Sequence, residues 1–185
     1  MAEDRRIRYT KMVLKDSLIK LMKEKPISRI SIKSICEEAD INRATYYTHY
    51  KDQHDQLDQI EFEFVEGIEK FLEDMPMTIP LDIITKIFDY IQENKELCCT
   101  LLGKNGDMAF EENVSRLIRS TILASWKIAD VEVNSVYDYS YTYTFAGSIG
   151  IVKKWLSDDN TNFSTRDIAK LVLDLSEKGI SKKRG

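Results

Sequence analysis

The segment from Ile30 to Leu57 constrains the fold of this chain most, because two short apolar stripes flank a tight turn. Before the turn, Ile35 and Ala39 lie four residues apart, which is the spacing of a buried helix face. After the turn, Tyr46 and Tyr50 repeat that spacing. The pattern predicts two short helices that pack against their neighbours through one face each.

Polar residues mark the ends of these two helices. Ser31 and Asn42 stand where a side-chain oxygen can accept a hydrogen bond from a free backbone N–H at a helix start. Asp40 stands where the chain reverses, and Asp tolerates the left-handed conformation better than most non-glycine residues. The second helix is predicted from Asn42 to His49. Its outward side chains are donors and flat rings: Arg43, Thr45, Tyr47 and His49. A short exposed helix braced by another is the helix-turn-helix arrangement that enters the DNA major groove.

The segment resembles the N-terminal DNA-binding domain of TetR-family transcriptional regulators in seven residues: Ala39, Ile41, Asn42, Thr45, Tyr47, His49 and Tyr50. The second half of the chain resembles one type of TetR C-terminal domain at Phe145, Gly147, Gly150, Trp155 and Leu156. The resemblance implies an all-α fold of about nine helices. It places a three-helix DNA-binding domain over residues 1–51 and a helical ligand-binding and dimerisation domain over residues 52–185.

Two positions depart from the family pattern. Asp40 stands at the turn, where family members usually carry Gly. Gln53 stands at the start of the fourth helix, where they usually carry a Lys that touches a phosphate. Lys51 lies two residues earlier and is expected to supply that charge; the alternative is a solvated loop lysine.

Eight residues are predicted to contact double-stranded DNA. Arg43 is expected to read a base edge, because a guanidinium matches guanine O6 and N7 in two hydrogen bonds. Asn42 and Thr45 are expected to touch bases or phosphates. The resemblance implies phosphate-backbone contacts from the other five: Ser31, Lys33, Tyr47, His49 and Lys51. Tyr46 and Tyr50 are expected to pack in the core instead.

The formal net charge of −4 hides an uneven distribution. Residues 1–58 hold 12 Lys and Arg against 10 Asp and Glu, a charge of +2, whereas the remainder holds 15 against 21, a charge of −6. A mildly positive head on an acidic body keeps phosphate attraction local. Residues 1 to about 7 are expected to form a flexible arm. Its arginines and the neighbouring one, Arg5, Arg6 and Arg8, are expected either to reach DNA phosphates or the minor groove or to remain in solvent.

Only 7 Gly and 3 Pro occur, so long helices are expected throughout. The segment Asn134 to Leu156 is ambiguous, because Tyr137, Tyr139, Tyr141, Tyr143 and Phe145 alternate with polar residues as in a strand. We predict a helix there. No other segment offers a strand with matching alternation, and a lone strand leaves backbone groups unpaired.

The body offers candidates for two binding surfaces. Side chains expected to line a small-molecule effector site, or alternatively an ordinary core, are Cys98, Cys99, Met108, Phe110, Trp126, Tyr137 and Tyr141. The resemblance implies a homodimer through the last two helices, with Gly147, Gly150, Ile151 and Trp155 at its interface; burial within one subunit explains these four equally well. A redox role for Cys98 and Cys99 is a weaker alternative to burial.

No catalytic constellation occurs, so an enzyme is not expected, and neither a cofactor nor a metal is implied. His49 and His54 lie five residues apart, whereas a helical metal site favours four. No apolar segment is long enough to span a bilayer, and the charged N-terminus predicts a cytoplasmic protein. The rival to a DNA-binding repressor is a co-regulator that binds another protein, which the departure at Gln53 favours.

Overall fold

The computed structural model describes the backbone of residues 2–73, 81–106, 108–128 and 135–181, and side chains within residues 5–73, 81–106, 109–123 and 135–176. These parts of the chain form nine α-helices and one 3-10 helix, Ile27–Arg29, and contain no strand. The helices are α1 Ala2–Glu24, α2 Ile32–Ala39, α3 Arg43–Tyr47, α4 Gln53–Leu72, α5 Leu81–Glu93, α6 Lys95–Leu101, α7 Met108–Ile128, α8 Ser135–Ser157 and α9 Thr165–Ser181. The predicted all-α class is confirmed.

The expected flexible arm over residues 1–7 is wrong, because α1 begins at Ala2. No Gly or Pro interrupts the chain before Pro26, so nothing in the sequence stops the helix earlier. α1 runs antiparallel to α4: Gln56 Nε2 donates to the Leu14 carbonyl at 2.8 Å, and Lys11 Nζ lies 3.9 Å from Glu63 Oε1. The three arginines near the start of α1 therefore lie towards the Phe64 end of α4, away from its first turn.

The chain divides into two compact units. The first, called the head, comprises Met1–Phe64 and Thr100–Phe110; the second, called the body, comprises Val65–Cys99 and Glu111–Gly185. The core of the head consists of side chains that are at most 1% exposed: Leu14, Leu18, Met22, Ile35, Tyr46, Leu57 and Leu101. The division into domains at residues 51 and 52 stays a prediction, because compactness does not show which segments fold independently.

The body is built around α9, which packs against both α5 and α8. The Phe88 and Trp155 rings pack with centroids 5.7 Å apart, and the Trp155 indole N–H donates to the Phe163 carbonyl at 3.3 Å. α9 begins with a capping box: the Asp167 N–H donates to Ser164 Oγ at 3.2 Å, and the Ser164 N–H donates to Asp167 Oδ2 at 3.0 Å.

The alternating tyrosines of α8 form a helix, as predicted. Tyr137, Tyr141 and Phe145 follow one another at four-residue spacing, with ring centroids 6.0 and 5.9 Å apart. Tyr141 Oη donates to the Ser115 carbonyl of α7 at 2.6 Å. Tyr139 and Tyr143 point elsewhere and are each 79% exposed. One aromatic series therefore joins α8 to α7, and the other lies on an exposed face.

Candidate nucleic-acid interface

α2 begins with a complete capping box. Ser31 Oγ accepts from the Ser34 N–H at 3.1 Å, and Ser34 Oγ accepts from the Ser31 N–H at 3.2 Å. The cap at Ser31 is confirmed. The reciprocal partner Ser34 was not predicted, because the third position of a capping box usually carries Glu or Gln. The box fixes the start of α2, from which Ser31 and Lys33 project into solvent.

The turn after α2 depends on Asp40, which adopts φ 51° and ψ 44°. No other non-glycine residue in the described part of the chain has a positive φ. The following Ile41 N–H donates to the Cys36 carbonyl at 3.0 Å, which closes the end of the helix. The left-handed conformation predicted for Asp40 is confirmed, and it explains why glycine suits this position.

Asp40→Gly is expected to stabilise the protein by about 0.5–1 kcal/mol, because glycine adopts this conformation without a Cβ penalty. The gain is reduced by the larger backbone entropy of glycine in the unfolded chain. The free energy of unfolding, measured by urea denaturation, tests this. Asp52→Gly serves as the control: it removes the same side chain from a residue without positive φ and is expected to destabilise.

α3 is a five-residue helix that is held from both sides. Asn42 Oδ1 accepts from the Ala44 N–H at 2.8 Å, which confirms the predicted cap. Tyr46 is fully buried and Tyr50 is 5% exposed, with ring centroids 5.6 Å apart, in agreement with their expected packing role. Burial raises the pKa of Tyr46 above its ordinary value and that of Tyr50 to about 12, so both phenols stay neutral.

The outward side of α3 carries the predicted contact residues. Asn42, Arg43 and Thr45 are exposed, Tyr47 is 57% exposed, and His49, just beyond the helix, is half-buried. The Tyr47 ring stands edge-on to the buried Tyr46 ring, with centroids 5.8 Å apart. A short helix thus exposes donors and a ring to solvent while its one buried side chain, Tyr46, fixes it in the core.

Lys33 of α2 and Arg43 of α3 border one open groove of about 500 Å³. Its remaining lining residues are Cys36, Glu37, Asp40, Ile41 and Asn42. Lys33 Nζ lies 3.6 Å from Glu37 Oε1, and both side chains are 65% exposed, so this ion pair opens readily to a phosphate. Burial raises the pKa of the Cys36 thiol, which keeps it protonated.

The start of α4 is acidic. Asp52 Oδ1 accepts from the His54 and Asp55 N–H groups, each at 2.9 Å, and Asp55 Oδ2 accepts from the Lys51 N–H at 2.8 Å. The bond from Lys51 lowers the pKa of Asp55, which is therefore ionised at neutral pH. Sequence reasoning identified Gln53 and Lys51 but missed these carboxylates. Their signal is Asp at the first position before a helix and again three residues later.

Gln56 was also missed. It is fully buried and joins α4 to α1 through the Leu14 carbonyl. No sequence signal distinguishes this glutamine from the exposed ones, because its burial depends on where α1 lies.

The residues expected to line an effector site lie in different places. Cys98 and Cys99 belong to α6 in the body, where Cys98 is buried and Cys99 is exposed. Phe110 belongs to the head and packs on Phe64 with ring centroids 5.7 Å apart. Tyr137 and Tyr141 join α8 to α7. The side chains of Trp126 and Met108 lie outside the described residues. An effector site at this set stays a prediction.

The residues expected at a dimer interface border one apolar groove between α8 and α9. The groove measures about 620 Å³ and is lined in part by Gly147, Gly150, Ile151, Trp155 and Leu171. A Cβ added at Gly147 or Gly150 would meet no atom within 4 Å. Trp155 is 6% exposed, so it contributes to the buried floor of the groove. The close approach that these glycines permit is not used within the described part of the chain.

No three His, Cys, Asp or Glu side chains in the described residues are placed to hold a metal ion. Among the same residues, no helix combines the length and hydropathy that crossing a membrane requires.

The fold and the exposed α3 define a helix-turn-helix protein of the all-α class, and comparisons with known proteins identify its family. Residues 79–178 match the TetR-type model described as transcriptional regulator C-terminal region. The chain belongs to the TetR family of transcriptional regulators.

Individual relatives are distant. An uncharacterised HTH-type transcriptional regulator of Bacillus subtilis strain 168, YxbF, is 21% identical over 155 residues; the match covers 79% of this chain and 39% of that protein's length. The crystal structure of a TetR transcriptional regulator from Streptococcus agalactiae 2603V is 20% identical with a TM-score of 0.67, over 95% of this chain and 98% of that one. The dihydroxyacetone kinase operon activator DhaS is 17% identical with a TM-score of 0.59, over 94% and 97%.

Proposed function

We propose that this protein binds a palindromic operator in double-stranded DNA as a homodimer and represses transcription in the cytoplasm until an effector bound to the body releases it. The observation that carries this is the construction of α3. Its inner ring, Tyr46, is fully buried, while its neighbours Arg43, Thr45 and Tyr47 are exposed.

The contact residues suit two different tasks. Arg43 stands at the first position of α3, immediately after the Asn42 cap, where a recognition helix meets base edges. Lys33, Ser31 and Lys51 surround α3 at helix ends and carry donors that suit phosphate oxygens. Base contacts from Arg43 would specify the sequence, and the others would set the position of the head on the duplex.

A dimer is supported by the distribution of exposed apolar side chains. In the described part of the body, the large exposed apolar residues lie on α8, on α9 or in the loop between them: Val136, Tyr139, Tyr143, Phe163, Leu171 and Leu175. Together with Gly147, Gly150 and Ile151 they form what we call the α8–α9 face. A contiguous apolar face of this kind marks a protein interface, and a second copy would bury it with twofold symmetry.

The effector is expected to be a small molecule or a protein partner. It must bind one arrangement of the two heads better than another, since only differential affinity shifts an equilibrium. The relative DhaS is named as an operon activator, so the sign of regulation is tested separately from DNA binding by a reporter gene placed behind the operator.

Selection of bound duplexes from a random pool tests the proposal. We expect enrichment of a palindrome whose half-sites lie about 10 base pairs apart, centre to centre, or a multiple of that spacing. Binding should weaken steeply with salt, by a slope of about 0.9 per phosphate contact in a plot of log affinity against log salt concentration. Recovery of no sequence motif by a folded dimer would reject the operator-binding proposal.

A second candidate function is a co-regulator that acts mainly through another protein. It is favoured by the carboxylates of Asp52 and Asp55 at the start of α4, where the family usually places a phosphate-binding Lys. Negative charge at this point repels a phosphate, and the Asp52 side chain already occupies two backbone N–H groups.

Gln53→Lys is expected to raise DNA affinity about three- to tenfold and to increase the salt slope by about 0.9, because it adds one phosphate contact. Fluorescence anisotropy titrations at several salt concentrations measure both quantities. Gln59→Lys, about 1.7 helical turns further along α4, is the matched control. It should change the affinity and the salt slope only slightly. An unchanged slope in Gln53→Lys would show that α4 does not approach the DNA backbone.

A further inference from the structure

We infer that Asn105 is a positioning residue for DNA binding: its side chain caps the C-terminus of α1 and so lets the α6–α7 loop set the position of this helix. α1 in turn supports the pair of helices α2 and α3, which we call the reader. The effect on DNA rests on the proposed function. The positioning of α1 is a property of the free protein and can be tested without DNA.

The need for a cap arises from the sequence of α1. Pro26 has no N–H, so the Met22 carbonyl lacks the donor that residue i+4 normally supplies. Asn105 Nδ2 donates to this carbonyl at 3.1 Å and to the Lys23 carbonyl at 3.2 Å. The side-chain amide of Asn105, more than 80 positions away in the sequence, thus donates hydrogen bonds to two of the last carbonyl groups of α1.

Two backbone hydrogen bonds shape residues 100–106, the part of the loop that carries Asn105. The Gly103 N–H donates to the Thr100 carbonyl at 3.3 Å, and the Gly106 N–H donates to the Gly103 carbonyl at 3.1 Å. A Cβ at Gly106 would lie 1.8 Å from the Leu101 carbonyl oxygen, so no other residue fits this turn without movement. The loop therefore presents Asn105 in one place.

Buried apolar residues lie on either side of Asn105 in the sequence. Leu101 is 1% exposed and Phe110 is 2% exposed, so both ends of the loop are fixed in the core of the head. Phe110 packs on Phe64 of α4 with ring centroids 5.7 Å apart. The α6–α7 loop thus touches α1 through Asn105, and the first turn of α7 touches α4 through Phe110. The helices α1 and α4 precede and follow the reader in the chain.

The end of α1 is connected to the reader. α1 packs against α2, and Lys20 Nζ forms an ion pair with Glu38, two residues before the turn at Asp40. Met22 and Ile35, one from each helix, are fully buried. A displacement of the last turn of α1 therefore moves α2. Because the loop is the covalent link between α6 and α7, a change in either helix reaches α1 through Asn105.

Hydrogen exchange of the free dimer tests the cap. In Asn105→Ala, the amides of residues 20–25 should exchange about fivefold faster, which corresponds to the loss of a hydrogen bond of about 1 kcal/mol. Asn105→Asp keeps the size of the side chain but places a negative charge at a helix C-terminus, so its effect should be larger. Asn94→Ala is the matched control, because Asn94 Nδ2 donates at 2.9 Å to the Tyr90 carbonyl of α5. It should leave residues 20–25 unchanged.

Operator titrations test the consequence for DNA. Affinity should fall about fivefold in Asn105→Ala and more in Asn105→Asp, with Asn94→Ala like wild type. Gly106→Ala, which displaces the loop and keeps the amide, should reproduce both effects. Unchanged exchange at residues 20–25 in Asn105→Ala, or a milder effect in Asn105→Asp, would overturn the cap. Faster exchange with unaltered operator affinity would overturn the positioning role, whereas a wild type without an operator would reject only the proposed function.

Discussion

Gly150→Arg is expected to convert the proposed homodimer into a monomer while stabilising the fold of each chain. The first atom of the added side chain fits without a clash, since no atom of the described residues lies within 4 Å of the position of its Cβ. Arg also has a higher helix propensity than Gly, by nearly 1 kcal/mol in a helix interior. In a dimer through the α8–α9 face, the same side chain would place a charge and extra volume into an apolar contact. The substitution should therefore stabilise the single chain and destabilise the dimer.

Light scattering coupled to size-exclusion chromatography measures the mass, and thermal unfolding measures stability. Loss of the dimer should weaken operator binding by about 10²- to 10⁴-fold, because the second half-site no longer benefits from a high effective concentration. Thr142→Arg adds the same charge to an exposed position eight residues earlier on α8, about 80° around the helix axis from Gly150, and should leave both mass and affinity intact. A fully dimeric Gly150→Arg protein would place the interface elsewhere.

Arg43→Ala is expected to weaken binding to the operator by about 5- to 150-fold, the equivalent of 1–3 kcal/mol for one bidentate base contact. Its second effect is relaxed specificity: the base pair that Arg43 reads should tolerate substitution in the variant. Stability should change little, because Arg43 is exposed and lies in a helix whose core contact is made by Tyr46. Arg43→Lys should recover charge but not the two-bond geometry.

Titration of the operator and of duplexes with single substitutions distinguishes base reading from simple charge. Lys15→Ala removes the same charge from α1 and should lower affinity slightly and equally for every duplex. If Arg43→Ala behaves in the same way, Arg43 contacts phosphate and another residue of α3 reads the sequence. Thr45 and Asn42 would then be the next positions to test.

The caps and the turn of the reader were predicted correctly because their determinants are local. The predicted end of the second helix at His49 was wrong, since α3 ends at Tyr47. Ser31, Asn42 and Asp40 act through hydrogen bonds and backbone conformation within three or four residues, which a single sequence displays. Pro26 ends α1 for an equally local reason. The spacing of Tyr46 and Tyr50 likewise predicted which side of α3 is buried, and hence which side chains are outward.

The course of α8 was harder to predict, because its tyrosines alternate like those of a strand. The helix prediction depended on the lack of a partner strand, and that argument already concerns tertiary structure. In the folded chain, Tyr141 and Phe145 pack along α7 at helical spacing, while Tyr139 and Tyr143 remain exposed. The sequence alone could not show which tyrosines take which place.

The sequence by itself determined the helical class, the capped reader and the turn at Asp40, since these depend on periodicity and on contacts between near neighbours. Only the tertiary structure decided that Gln56 is buried against α1 and that Asn105 serves the end of α1. These features join residues 42 to 83 positions apart, and the geometry that brings them together arises only when the helices pack.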